Sequence, residues 1–107
     1  MLTRMRSKVL VEHTDPGAGR AIAQSLHDAG FAVATCPGPS RQEPCPVLRG
    51  EECALARRAD VIVSCLRWHV DGRAIASCLR VHHPATPLLR AVEPDSAVHD
   101  VHAALGR

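Results

Sequence analysis

Lys8-Val9-Leu10-Val11-Glu12-His13-Thr14-Asp15-Pro16-Gly17-Ala18-Gly19 carries a strand into a helix. The run Lys8 to Glu12 is short and β-branched, as a buried strand requires. Asp15 suits a helix N-cap, and Pro16 suits the first helical position, where its missing N–H costs nothing. Ala18, Ile22, Leu26 and Ala29 then recur on one helical face. Gly30 ends that helix, and Phe31 to Thr35 is a second short apolar strand.

The same unit repeats downstream. Val61-Ile62-Val63-Ser64-Cys65-Leu66 is a third strand, led in by Asp60. Asp71 caps a helix with Ile75, Cys78 and Leu79 on its inner face, and His83-Pro84 stops it. Pro87 to Val92 reads as a fourth strand, and Asp95 or Ser96 opens a last helix whose Val98, Val101 and Leu105 face inward. Between the second and third units, residues 36–50 hold Pro37, Pro39, Pro44, Pro46 and Gly38. Such a stretch is a long loop, and long loops in small domains are often functional. Glu51 and Glu52 suit the start of a short helix, and Arg57 and Arg58 its end. Strands alternating with helices predict an α/β fold: a parallel sheet of four strands with helices on both faces. Ligands of such sheets sit at the carboxyl ends of the strands. Here that edge holds His13, Cys36, Cys65 and the region of Glu93.

A length of 107 residues predicts one domain, 1–107. Apolar residues are 46% of the chain, yet Phe31 and Trp68 are its only aromatics, so the core is Ala, Val, Leu and Ile. The net charge of +2 is near balance and the basic residues are scattered. Without a basic stripe or a stacking platform, nucleic acid is not an expected partner. No apolar run reaches the length of a membrane span or a signal-peptide core, so the expected location is the cytoplasm, away from membranes. Five cysteines in that compartment read as thiols, ligands or redox sensors before disulfides.

Val9 to Pro16, the following helix and Gly30 to Thr35 resemble the opening of bacterial receiver domains, the CheY-like family of response regulators. Asp60 to Leu66, and Asp71-Gly72 after it, resemble that family's third strand and turn. The resemblance implies a flavodoxin/receiver-like fold whose fifth strand-and-helix unit is missing here. It also shows what has changed. The family holds magnesium with a pair of acids after the first strand, where this chain has His13 and Thr14. Its phosphoacceptor aspartate falls on Cys65, and its hydroxyl residue after the fourth strand falls in Arg90-Ala91-Val92. A shift of one residue would return Asp15 to the acid pair, but no acceptor aspartate. The expectation is a pseudo-receiver: a non-enzymatic regulatory module that binds a protein partner. Gly17-Ala18-Gly19-Arg20-Ala21-Ile22-Ala23 is also similar to the first turn of short-chain dehydrogenases, which leaves a nucleotide-binding Rossmann-like fragment as an alternative. The third glycine and the ribose-binding acid are absent.

Another alternative is a cysteine-based redox or metal sensor. Cys36, Cys45, Cys53 and Cys65, with His13, map near one edge of the sheet and are the candidate ligands for zinc or an iron–sulfur cluster. Their spacing matches no standard ligand motif, so inert thiols stand beside that reading. If the first strand lies between those of Cys36 and Cys65, their backbones are about 9–10 Å apart, too far for a disulfide. Cys65 is the expected centre of any thiol chemistry, favoured as thiolate by an imidazolium at His13 and by the helix start near Asp71. Trp68 and His69 are the candidate partner anchor. Without a fifth strand, Pro87 to Val92 would be a bare apolar edge, so a homodimer or a terminal segment is expected to cover it.

Overall fold

The computed structural model describes residues 6–36, 45, 51, 53–66, 72–90 and 92–106. Most of the proline-rich loop, Trp68, His69 and Asp71 lie outside the described residues. The elements run β1 (Lys8–His13), α1 (Pro16–Asp28), β2 (Ala32–Cys36), α2 (Ala54–Arg58), β3 (Val61–Cys65), α3 (Gly72–His82), β4 (Leu88–Leu89) and α4 (Ala97–Ala104).

The four strands form one parallel sheet in the order β2-β1-β3-β4. Alternation along β1 and β3 sends side chains to two separate cores. Val9, Val11, Val61, Val63 and Cys65 pack with Ile22 and Leu26 of α1, with Phe31, and with Ala97 and Val101 of α4. Leu10 and Ile62 pack on the other face with Ala56 of α2, Leu66, and Ile75 and Leu79 of α3. Helices therefore cover both faces, and every residue of β3 is buried. This is why β3 reads as an apolar run, broken only by Ser64, and not as a polar alternation.

Local chemistry sets the ends of α1 as expected. Asp15 Oδ1 accepts the N–H groups of Gly17 and Ala18 at 2.9 and 3.3 Å, and Gly30, at φ +97°, turns the chain into β2. Ala29, expected on the inner face, is the exposed C-cap. His102 is half-buried with its ring 5.1 Å from that of Phe31, so α4 is seated on the turn that follows α1.

The fourth strand departs from expectation. Only Leu88 and Leu89 pair with β3, although Pro87 to Val92 reads as strand. Beyond Leu89 the chain bends, and Val92 leaves the edge to bury itself in the first core. Gaining that apolar contact ends the ladder. A two-residue edge strand is itself a guard against sheet extension. Leu89 packs against the core that α4 helps to build and Leu88 against the core of α3, so both faces of β4 are covered from within the chain.

Candidate functional site

The carboxyl edge of the sheet gathers the ends of β1, β2 and β3. Strand register decides which side chains meet there. Glu12 pairs with Cys36 on one side and Ser64 on the other, while His13 pairs with Cys65. Successive side chains point to opposite faces. His13 and Cys65 thus belong to the α1/α4 face, and Cys36, Glu12 and Ser64 to the α2/α3 face.

On the first face, Gly19 lets α1 approach the end of β1. A Cβ at Gly19 would stand 2.9 Å from His13 Cβ, closer than side chains tolerate. The His13 Nδ1 lone pair is taken by the Asp15 N–H at 3.0 Å. Cys65 is 4% exposed and packs among the valines of the first core, and its sulfur donates to the Val92 carbonyl at 3.8 Å. As a donor it is a core thiol. An open cleft of about 250 Å3 lies between the start of α1 and the ends of β1 and β2, lined by His13, Pro16, Arg20, Thr35 and Cys36 among others.

Asp15 is placed by its cap. Its side chain holds two backbone amides of α1, so removing it should cost about 1 kcal/mol. Asp15→Ala is expected to lower the unfolding free energy from urea denaturation by that amount, while Asp15→Asn, an equally good cap, restores it. A full loss in both variants would mean that the carboxylate charge, and not the cap, is what the site uses.

The cysteines do not gather as expected. Cys36, Cys45 and Cys53, with Cys78, pack against the second core, whereas Cys65 faces the first. The reason is the one-residue offset in register: Cys36 sits opposite Glu12 and Cys65 opposite His13. Among the described residues no three His, Cys, Asp or Glu side chains lie where they could hold a metal ion together.

A polar row was missed in the sequence. Glu12 is 4% exposed and Ser64 is fully buried, although both lie inside inner strands. Arg90, just past the end of β4, is near enough for its charge to act on Glu12. Burial raises the Glu12 carboxyl above the usual glutamate range; Ser64 and Arg90, which favour the charge, oppose that rise to a lesser degree. The hydroxyl stands close enough to ease the charged form, yet neither Ser64 Oγ nor Glu12 Oε1 completes a hydrogen bond of good geometry. The available signal was one polar residue in each of two apolar runs, Val9-Leu10-Val11-Glu12 and Val61-Ile62-Val63-Ser64. Only the pairing of the runs shows that the two meet.

Order, direction and covering of the strands agree with known proteins. CheY4, a chemotaxis protein of Vibrio cholerae, superposes with a TM-score of 0.58 at 22% identity, over 95% of this chain and 82% of that one. The chain has the receiver fold. A response regulator from Thermotoga maritima superposes with a TM-score of 0.55 at 20% identity, over 92% of this chain and 79% of its own. No family model matches the sequence, and no curated protein does. On this receiver scaffold no described helix is long and apolar enough to cross a membrane.

Proposed function

We propose that this chain is a pseudo-receiver: a regulatory, partner-binding module that works without aspartyl phosphorylation. One observation carries the reading. The residues registered across the ends of β1 and β3 are His13 and Cys65, an imidazole and a thiol, at the edge where this fold has its reactive group. The two carboxylates close by are committed elsewhere. Asp15 caps α1, and Glu12 is buried on the opposite face of the sheet. Magnesium requires near-octahedral oxygen ligation. Thr14 is the one oxygen donor among His13, Thr14 and Cys65, so the residues present do not fit the cation that receiver phosphorylation uses. The cysteine-centre alternative is weaker on the same geometry, because Cys65 faces away from Cys36, Cys45 and Cys53.

The test is beryllofluoride with magnesium, an analogue of the aspartyl phosphate. The NMR spectrum of the full chain is expected to stay unchanged at millimolar reagent. Specific shifts clustered around Asp15 and Cys65 would show a working acceptor site and end the pseudo-receiver reading.

A further inference from the structure

One row of side chains crosses the carboxyl half of the sheet toward α2 and α3, Cys36 from β2, Glu12 from β1 and Ser64 from β3, and Arg90, just past β4, is near enough for its charge to act on Glu12. Glu12 and Ser64 are more than nine-tenths buried, and Glu12 Oε1 and Ser64 Oγ each lack a hydrogen-bond partner. Two unpaired polar atoms in one core row are costly, and a change of charge or position can relieve them.

We propose that Glu12, Ser64 and Arg90 form a two-state switch at the carboxyl edge, thrown by gain or loss of the Glu12 proton. With the proton in place, the carboxyl is neutral and stays in the second core. Without it, a full negative charge lies beside the Ser64 hydroxyl and within the influence of the Arg90 guanidinium. The hydroxyl then rotates to donate to the carboxylate, and Arg90 is drawn in, since a charge-assisted bond is stronger than a neutral one. Arg90 lies two residues before Val92, whose carbonyl takes the Cys65 thiol and whose side chain packs in the core of α4. A shift of Arg90 therefore reaches the link between the end of β3 and the last helix. The inference stands whatever partner the module binds.

The surroundings leave Glu12 as the group that titrates. Thiols surround the core below it: Cys36 from β2, Cys45, Cys53 at the start of α2 and Cys78 from α3. The charged residues of those helices, Arg57, Arg58, Arg73, Arg80 and His82, are exposed, and His13 points to the opposite face. Arg90 is the charged group acting on Glu12, and burial outweighs it in holding the proton.

The experiment follows the Glu12 side-chain carboxyl carbon by NMR through a pH titration of the full chain. The expected midpoint lies above that of an ordinary glutamate, and the Cys65 and Val92 amide shifts follow the same midpoint. Ser64→Ala and Arg90→Gln each move it higher, because each removes a group that favours the charge. Glu12→Gln, of nearly the same shape and without a proton to lose, abolishes the edge transition. Stability gives a second readout. The folded chain keeps this proton longer than the unfolded one, so the contribution of Glu12 to stability is greatest below the unfolded value of 4.5 and declines as pH rises toward the folded value. Glu12→Gln removes that decline. A midpoint at or below the ordinary glutamate value overturns the switch, as do edge shifts that titrate unchanged in Glu12→Gln. If Glu12→Gln fails to fold, Arg90→Gln decides alone: a midpoint that does not move sinks the proposal.

Discussion

Replacing Ile62 by alanine is expected to lower the stability of the fold by about 2–5 kcal/mol, the cost of emptying a buried aliphatic site. Ile62 is 1% exposed at the centre of β3, paired with Leu10 of β1 and Leu88 of β4. Among the described residues, its buried neighbours in that core are Leu10, Ala56, Leu66, Ile75 and Leu79. Among the described residues no aromatic ring packs there to swing into the gap, and the flanking strands are held by their ladders. The cavity therefore stays open, and the loss is a large share of the roughly 5–15 kcal/mol of a typical domain. Urea denaturation followed by circular dichroism measures it: the midpoint falls while the slope stays unchanged. Val81→Ala, at a side chain 75% exposed, is the control and should change stability by less than about 0.5 kcal/mol. A cost below about 1 kcal/mol for Ile62→Ala would mean that the second core does not hold the sheet.

The second large effect is at Gly19. In a helix, glycine to alanine normally gains up to about 1 kcal/mol. Here the gain should be reversed. Gly19 is buried, and its new Cβ would meet His13 Cβ at 2.9 Å, an atom fixed to the strand backbone and unable to swing away. Gly19→Val, larger and β-branched, is expected to cost about 1–3 kcal/mol through overpacking. It should also lift the first turn of α1 from the end of β1, which would break the bond from the Asp15 amide to His13 Nδ1. The readouts are the urea midpoint and the imidazole nitrogen shifts of His13. Stabilisation by Gly19→Ala, with His13 unmoved, would show that helix and strand do not touch as described.

How much was legible follows from the range of each signal. The cap at Asp15, the stop at Gly30 and the runs Val9-Leu10-Val11 and Val61-Ile62-Val63 are local, set by residues within a few positions of each other. They were read correctly, and with them the four-strand parallel sheet. The end of β4 was misread because Val92 chooses between an edge pairing and a distant core, and nothing within the segment announces that choice. The cysteines were misjudged for a related reason. Proximity to one edge of the sheet was visible, but the face each occupies was not.

By itself, then, the sequence determined the alternation of strands and helices, the two helix-end signals of α1, and the lack of a carboxylate at His13, Thr14 and Cys65. These depend on residue identity and on periods of 2 and 3.6, which need no partner strand. The tertiary structure alone decided that Glu12 and Ser64 meet across β1 and β3, that Cys65 turns away from Cys36, and that α4 returns to the face of α1. Each of those facts rests on register between segments far apart in the chain. A slip of one residue in register would exchange the two faces of a strand, so the chemistry of the edge is set by pairing and not by composition.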